Sequence, residues 1–368
     1  MLNRLYIDNF RAFVNFEQKF ERKQLILGRN GSGKSSLLDG LFKIRQFVVM
    51  GDRAEDTFYS SECTLWLNQP RQTWELEADL EGVRYVYRLV IEPWGDPPKP
   101  RVVEETVVCA GKPIFEFLLG EVHLFNDRFE RKVQYPFDWH RSALATVQGR
   151  TDIQILSRFN QWLDRVFVFR LDPFRMDPRA ERESVNPTVD LSNFAAWYRH
   201  LVQAYPRQNT EFLKGLQSSV DDFSYLKLEE AGENVRRLAA EFEQRDGKVL
   251  KFGFGELSEG QRCLICLYAI LHFVLATGCT VVLDEPDNFV SLREIQPWLM
   301  AADDMLADGL GQLLVISHHP ELLNQWAPGS GIHFFRENNG SVRTKAFTGD
   351  PHSNLSPAEL IARGWERE

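Results

Sequence analysis

The stretch Gly28-Arg-Asn-Gly-Ser-Gly-Lys-Ser35 decides the fold of this 368-residue chain. It matches the P-loop pattern, in which two glycines, a lysine and a serine stand at fixed spacing. The apolar run Leu25-Ile-Leu27 before it predicts a strand, and Leu37 and Leu41 after it stand at the spacing of a helix over residues 32–46. Glycines let the backbone close around phosphate, so that N–H groups and the helix N-terminus face the anion. Strand, loop and helix together predict a phosphate site rather than an ordinary glycine turn.

Two residue types in the loop have specific expected roles. Lys34 is expected to reach the β and γ phosphates of a bound nucleotide, and the Ser35 hydroxyl is expected to ligate Mg²⁺. The candidate nucleotide-binding residues of the loop are Gly28, Arg29, Asn30, Gly31, Ser32, Gly33, Lys34, Ser35 and Ser36.

Two later apolar runs predict strands that end in polar residues. Val281-Val-Leu-Asp-Glu285 ends in two carboxylates. We expect Asp284 to hold Mg²⁺ through water and Glu285 to orient or deprotonate an attacking water molecule. Leu313-Leu-Val-Ile-Ser-His318 ends in a candidate γ-phosphate sensor, His318, although the residues alone do not separate it from His319.

A second anion site is predicted where Leu257-Ser-Glu-Gly-Gln-Arg262 opens an apolar helix. A serine hydroxyl and exposed N–H groups at a helix N-terminus favour a bound anion. One nucleotide does not need two such sites, whereas two chains docked head to tail would each complete the other's pocket. The candidate residues are Ser258, Glu259, Gly260 and Gln261.

In this order the motifs resemble the Walker A, signature, Walker B and switch-histidine motifs of the ABC ATPase superfamily. Asn30 and the opening Ile7-Asp-Asn-Phe-Arg-Ala-Phe13 resemble its SMC and RecF branch more than transporters. The runs Asp284-Glu-Pro-Asp-Asn288 and Ser317-His-His-Pro-Glu-Leu-Leu323 are also similar to the compact AAA-type ATPases of the OLD-like group. Many members of that group serve bacterial anti-phage defence.

The resemblance implies ATP and Mg²⁺ as cofactors and an ATP-dependent homodimer with two composite sites. It makes Lys34, Glu285 and His318 the catalytic candidates, and it has Ser258 and Gly260 touch the γ phosphate bound by the partner chain. It places a D-loop at Asp287–Ser291, where Ser291 stands near the position of the usual aspartate. It also requires a Q-loop glutamine that touches nucleotide and metal, for which Gln148 is the first candidate and Gln154 the second.

The implied fold is an α/β P-loop NTPase head of the ABC type, with a mixed or parallel core sheet, an antiparallel β subdomain and an inserted helical subdomain. Alternation over residues 63–137 predicts the antiparallel sheet, and Ile153–Phe167 and Asn193–Gln203 are predicted helices. Asp246-Gly247 and Asn339-Gly340 predict hairpins. The expected domains are an N-terminal lobe at 1–150, a helical insertion at 151–252 and a C-terminal lobe at 253–368.

Composition favours a soluble cytoplasmic protein. Lys and Arg number 43 against 52 Asp and Glu, which gives a net charge of −9, and 43% of residues are hydrophobic. The apolar run Cys263–Ala276 falls short of the roughly 18 to 20 residues of a membrane span, so no membrane contact is expected. The odd number of cysteines, five, predicts reduced core thiols. This includes Cys263 and Cys266, although their spacing also suits a metal.

Two uses of such an ATPase compete. With neither a long coiled coil nor room for a Toprim nuclease domain after His318, the chain is expected to gate a separately encoded effector in defence or DNA processing. The alternative is a RecF-like or SMC-like repair ATPase that binds DNA directly, for which the nine Lys and Arg residues of Met1–Met50 are the candidate contacts. Ordinary solvated charge explains that excess equally well. A transporter ATPase is a third class, which the SMC-like opening disfavours.

Overall fold

The structure, a computed structural model, describes residues 1–348 and 355–363. The chain contains both strands and helices, as the sequence predicts for an α/β protein. The strands are β1 (Leu2–Asp8), β2 (Phe16–Lys19), β3 (Lys23–Gly28), β4 (Gln72–Leu80), β5 (Val83–Trp94), β6 (Lys99–Cys109), β7 (Lys112–Leu118), β8 (Glu121–Phe125), β9 (Arg131–Pro136), β10 (Val166–Phe169), β11 (Arg179–Ala180), β12 (Phe223–Glu230), β13 (Arg236–Glu243), β14 (Val249–Gly253), β15 (Thr280–Asp284), β16 (Gln312–Ile316), β17 (Gly331–Arg336) and β18 (Val342–Ala346).

The α-helices are α1 (Lys34–Arg45), α2 (Ala54–Thr57), α3 (Gln154–Asp164), α4 (Phe194–Ala204), α5 (Pro206–Ser219), α6 (Glu259–Ala269), α7 (Leu292–Ala307), α8 (Pro320–Ser330) and α9 (Pro357–Ala362). Three of the α-helices, α1, α7 and α8, follow the strands β3, β15 and β16. The predicted C-terminal lobe includes residues 349–354 and 364–368, which lie outside the described residues.

The chain forms two compact units, each built from separate stretches of sequence. Unit 1 comprises residues 1–21, 27–166 and 332–346, and unit 2 comprises residues 22–26, 167–331 and the described residues from Phe347 onward. Strands β3, β10 and β17 each begin in one unit and end in the other. The three-part division predicted from the sequence stays a prediction.

An antiparallel sheet of eight strands dominates unit 1. Its order is β2-β1-β4-β5-β6-β7-β8-β9, and the hairpins β4–β9 confirm the antiparallel sheet predicted over residues 63–137. Alternate residues of β4 are buried, as expected for a sheet with one face on the core. Helix α1 packs on this face, because Gly40 leaves room for the Trp74 ring and Ile7, which an added Cβ would meet at 2.9 and 3.2 Å.

Parallel strands form the centre of unit 2. Strand β16 pairs in parallel with β15 on one side and with Lys23–Ile26, the first part of β3, on the other. Every residue of β15 and β16 is buried, as in a sheet covered on both faces. Such strands place the residues that follow their carboxyl ends at one edge of the sheet.

The region predicted as a helical insertion contains both helices and strands. The helix predicted over Ile153–Phe167 ends at Asp164, and Val166–Phe169 forms β10, because its Val-Phe-Val-Phe run favours a strand. In unit 2, α4 and α5 are accompanied by the antiparallel strands β12, β13 and β14. The hairpin predicted at Asp246-Gly247 joins β13 to β14, and that at Asn339-Gly340 joins β17 to β18 in unit 1.

The helix that begins at Glu259 is longer than the apolar run suggests. Helix α6 continues as a π-helix over Ile270–Val274 and a 3₁₀ turn to Thr277. Among the described residues, Glu259–Thr277 is the one stretch with the length and mean hydropathy, 1.5, of a membrane span, and 72% of it is buried inside the protein. Its burial rather than its length therefore assigns it to the core. Cys263 and Cys266 are fully buried in it, and all five cysteines are free thiols.

Candidate functional site

In unit 1, the lysine of the P-loop donates hydrogen bonds to carbonyl oxygens of the same loop. Lys34 is 6% exposed, and its Nζ donates to the carbonyl oxygens of Gly28 at 2.6 Å and Arg29 at 3.1 Å. These two hydrogen bonds hold the Lys34 ammonium group against the loop, where its positive charge suits an anion. The Ser32 hydroxyl is buried and has no hydrogen-bond partner within the described part of the chain. A phosphate oxygen would satisfy this hydroxyl.

Two glycines fit the loop against the β17–β18 hairpin. Gly28 has φ +144°, and a Cβ there would collide with the Phe334 carbonyl oxygen. Gly33 has φ +107°, and a Cβ there would lie 2.7 Å from Val342 Cγ2. Both the left-handed backbone and the close packing exclude larger side chains. The glycines of the motif are therefore required by the local fold as well as by the space a phosphate needs.

The remaining loop residues divide by exposure. Arg29, Asn30, Gly31 and Ser35 are exposed, so their groups face solvent and a ligand can reach them. Ser36 differs, because its Oγ accepts a hydrogen bond from Arg11 Nη1 at 3.2 Å, and Arg11 also pairs with Asp39. Ser36 therefore has a partner within unit 1 that the sequence did not predict.

At the end of β15 in unit 2, a buried carboxylate is held by an arginine. Asp284 is 6% exposed, and its Oδ2 accepts from Arg170 Nε at 2.8 Å and Nη2 at 2.6 Å. Asp284 Oδ1 is buried without a hydrogen-bond partner among the described residues. One oxygen of the predicted metal ligand is thus occupied by a cationic side chain, and the other is unsatisfied.

Glu285 follows in a left-handed backbone conformation with φ +47°. Its N–H donates to the Ile316 carbonyl at 2.9 Å, and its Oε2 accepts from Asn288 Nδ2 at 2.9 Å. Non-glycine residues in this conformation cost roughly 1–3 kcal/mol and concentrate at functional sites. The Asn288 amide thus holds the Glu285 carboxylate.

The two histidines after β16 have different environments. His319 is the N-cap of α8, and its Nδ1 accepts a hydrogen bond from the Glu321 N–H at 3.3 Å. His318 is exposed at the strand end. His319 therefore has a role in capping a helix, and the assignment of His318 as a phosphate sensor stays a prediction.

The signature motif and the D-loop contact each other in unit 2. Ser258 is the N-cap of α6, and its Oγ accepts from the Gln261 N–H at 3.2 Å. A Cβ on Gly260 would lie 2.6 Å from the Phe289 carbonyl oxygen, so the D-loop backbone requires glycine there. Ser291 is the N-cap of α7, where its Oγ donates to Glu294 at 2.6 Å. Ser291, which stands near the position of the usual D-loop aspartate, therefore caps a helix.

Both motif regions suit the groups that a P-loop ATPase binds. A glycine loop with an adjacent lysine and an unsatisfied serine hydroxyl suits phosphate. An unsatisfied carboxylate oxygen at a strand end suits Mg²⁺, which prefers oxygen ligands and keeps several of its waters. No group of three or more His, Cys, Asp or Glu side chains with metal-binding geometry occurs within residues 1–348 and 355–363. A magnesium ion held by few protein ligands is compatible with that finding.

The two glutamines that are candidates for the Q-loop are close in sequence, and both belong to unit 1. Gln148 is exposed and lines a cavity of about 350 Å³ together with Tyr135 and Arg150. Gln154 is exposed as the first residue of α3, and its N–H donates to Asp127 Oδ2 at 3.0 Å. The role of either glutamine remains a prediction.

Two arginines have partners that the sequence did not predict. Arg170, to which the sequence assigned no role, pairs with Asp284. Arg262 is 8% exposed, and its Nη1 donates to the Pro173 carbonyl at 2.5 Å. The position of Arg170 directly after an apolar Val-Phe-Val-Phe run is the one sequence signal that could have indicated it.

Comparisons with known proteins agree with this architecture. Residues 25–324 match the family described as "AAA domain, putative AbiEii toxin, Type IV TA system", and residues 4–43 match a second AAA domain family. The structure of an SMC head domain from Thermotoga maritima has 14% identity and a TM-score of 0.50, with 95% of this chain and 99% of that chain covered. An SMC head bound to the C-terminal winged-helix domain of ScpA has 13% identity and a TM-score of 0.57, with 94% and 98% covered. No curated protein matches the sequence. The fold is therefore that of an SMC-type P-loop ATPase head.

Proposed function

Because this chain belongs to the AAA domain family described as "putative AbiEii toxin, Type IV TA system", we propose that it is a switch driven by ATP binding and hydrolysis. The observation that supports this most strongly is the P-loop whose buried Lys34 and unsatisfied Ser32 hydroxyl suit a phosphate group. In this proposal Lys34 binds the β and γ phosphates, while Ser35 and Asp284 hold Mg²⁺, with Gln148 as a further ligand.

Hydrolysis requires a group that accepts a proton from water. We assign this to Glu285, whose strained backbone and hydrogen bond from Asn288 fix the carboxylate near the end of β15. His318 contacts the γ phosphate in this proposal, and the bound Mg²⁺ supplies charge neutralisation at the phosphates. The residues of the chain bind the nucleotide, orient water and take up its proton.

The signature motif is the basis for proposing a dimer. Ser258, Glu259, Gly260 and Gln261 form a helix N-terminus, in which Ser258 is exposed and the other three are half-buried, and a helix N-terminus favours anions. In the proposed dimer each chain offers this N-terminus to the γ phosphate bound by its partner, and the D-loop at Asp287–Ser291 lies at the interface. ATP then closes two heads and hydrolysis opens them.

We further propose that the output is a separately encoded effector in bacterial defence or DNA processing. The family description refers to a putative toxin of a toxin–antitoxin system, and one similar SMC head is described with a bound protein domain. Direct DNA binding is the second candidate. It is weakened because basic residues of the first fifty pair with acidic side chains: Arg4 with Glu17, Glu75 and Glu77; Arg11 with Asp39 and Glu62; Lys23 with Asp303; Lys43 with Glu62; and Arg45 with Asp164.

A phosphate-release assay tests the enzymatic proposal. The wild-type chain should hydrolyse ATP in the presence of Mg²⁺, and Lys34→Ala and Asp284→Asn should each lower turnover by at least a hundredfold. Lys19→Ala, which removes an exposed lysine of β2, is the matched control and should leave turnover unchanged. Equal turnover in wild type and Lys34→Ala would show that this P-loop does not carry the activity.

The choice between effector and DNA needs a separate test. The Glu285→Gln variant, held with ATP, should be recovered from its native cells under mild conditions, and both the bound protein and the bound nucleic acid should be identified. A stoichiometric protein partner without nucleic acid supports gating. DNA-stimulated turnover that needs no other protein supports a repair ATPase.

A further inference from the structure

Asp284 and Arg170 form a pair whose geometry is unusual for a metal-binding carboxylate. Two nitrogens of the Arg170 side chain donate to the same oxygen, Oδ2: Nη2 at 2.6 Å and Nε at 2.8 Å. The carboxylate is 6% exposed, whereas the arginine side chain is 52% exposed. A buried negative charge is thus balanced by a cation whose side chain is half-exposed.

We propose that Arg170 and a divalent cation are alternative partners of Asp284. This inference rests on the proposed function, which makes Asp284 the metal-binding carboxylate. Arg170 neutralises the buried carboxylate in the absence of metal, and it gives up Oδ2 when Asp284 takes the cation. Arg170 is therefore a regulatory residue that sets how much Mg²⁺ the site requires.

Electrostatics explains why the two partners compete. A buried carboxylate without a counter-charge is costly, so a cation must accompany Asp284 in either state. With a guanidinium on Oδ2, a divalent ion that approaches Oδ1 meets like charge within a few ångströms, in surroundings that screen weakly. The buried Oδ1 has no partner among the described residues, so the carboxylate keeps one unsatisfied oxygen while Arg170 holds the other.

The segment that carries Arg170 is held in place without the ion pair. The Arg170 N–H donates to the Val189 carbonyl at 2.8 Å, and the Pro173 carbonyl accepts from Arg262. The Phe174 ring packs against Phe289 with centroids 5.8 Å apart. Replacing the Arg170 side chain should therefore leave the fold intact while it removes the competing charge.

The test compares Arg170→Gln with wild type in a titration of MgCl₂ at fixed concentration of a fluorescent ATP analogue. The variant should reach half-maximal nucleotide binding at an Mg²⁺ concentration at least fivefold lower, within the usual range of coupling between two sites. In EDTA its thermal midpoint should lie below that of wild type, and Mg²⁺ should restore most of the difference.

Two further variants keep the result interpretable. Arg175→Gln removes the same charge from the same segment, but its partner is Asp190 at 3.0 Å, and it should not change the Mg²⁺ requirement. In an Asp284→Asn background, Arg170→Gln should have no further effect on that requirement, because the shared carboxylate is gone.

The results that would contradict this inference differ from those that would contradict the proposed function. An unchanged or higher Mg²⁺ requirement in Arg170→Gln, with wild-type binding that depends on Mg²⁺ and is lost in Asp284→Asn, would overturn the competition and leave the proposed function standing. Wild-type nucleotide binding that does not respond to Mg²⁺ at all would overturn both. Equal destabilisation of Arg170→Gln in EDTA and in Mg²⁺ would show a purely structural ion pair and would overturn the inference.

Discussion

Ser317 Oγ lies 2.8 Å from Asp287 Oδ2 and donates a hydrogen bond to it, which joins the end of β16 to the start of the predicted D-loop. Asp287 is 5% exposed, and its burial raises the pKa of the carboxyl, although the Ser317 hydroxyl opposes the shift. The same Oγ accepts from the His319 N–H at 2.9 Å. The turn that carries His318 and the D-loop are therefore linked through one hydroxyl group.

Ser317→Ala should destabilise the protein, because it leaves Asp287 buried with one fewer donor. The expected loss is about 1–3 kcal/mol in the free energy of unfolding, the usual cost of an unsatisfied buried group. Chemical denaturation measures it, with Ser60→Ala at an exposed position as the control. A loss as small as that of the control would mean that the hydrogen bond does not link the two loops.

His318→Ala and His319→Ala should affect different properties of the protein, the first ATP turnover and the second stability. His319 caps α8, so its removal should cost roughly 0.5–2 kcal/mol of stability. His318 contacts the γ phosphate in the proposed function, so its removal should lower ATP turnover by at least tenfold and cost less stability than His319→Ala does. Unfolding curves and turnover of the two variants provide the comparison, and the reverse pattern would reassign the sensor to His319.

Gly33→Ala should impair nucleotide binding more than Gly31→Ala. Both glycines have positive φ, +107° and +78°, so both alanines are strained. Only at Gly33 does the new Cβ also meet Val342, at 2.7 Å, whereas nothing lies within 4 Å at Gly31. Isothermal titration with ATP should show at least tenfold weaker binding for Gly33→Ala, and adding Val342→Ala should restore part of the loss. No rescue would mean that backbone strain alone is responsible.

The contribution of Glu105 to stability should fall as pH rises from about 4.5 to about 7. Glu105 is fully buried in β6, and burial raises its pKa to about 7, although donors from Tyr87, Ser142, Ala143 and Leu144 oppose the shift. The folded state therefore keeps a proton that the unfolded chain loses near pH 4.5, so the unfolded chain binds fewer protons in this range. Glu105→Gln should remove a pH-dependent loss of about 3 kcal/mol.

Unfolding by urea at several pH values measures this contribution. Glu81→Gln, at an exposed position, is the control and should keep the wild-type pH dependence. If Glu105→Gln kept the same slope as wild type, Glu105 would be ionised throughout the range, with its four donors outweighing its burial.

The sequence predicted the parts of the fold in which local signals agree. Alternation in β4 and β5, the apolar runs of β15 and β16 and the glycines of the P-loop each point to one structure. The family and the SMC-type fold inferred from the order of motifs are confirmed by the comparisons.

What could not be predicted depends on contacts between distant residues. Phe167 was assigned to a helix because a strand of four residues following a helix gives no separate signal. The pairing of Arg170 with Asp284 joins residues 114 positions apart, so no spacing rule could find it. The assignment of His319 as a helix cap requires the backbone geometry of α8, which the doublet of histidines does not reveal.

The measurement that tests the central claim most directly is the mass of Glu285→Gln with and without Mg-ATP, by size-exclusion chromatography with light scattering, together with its turnover. We expect a variant that binds ATP, hydrolyses it at least a hundredfold more slowly than wild type and accumulates as a dimer of the 42.7 kDa chain. A Glu285→Gln protein that stays monomeric with ATP and keeps wild-type turnover would contradict the proposed switch.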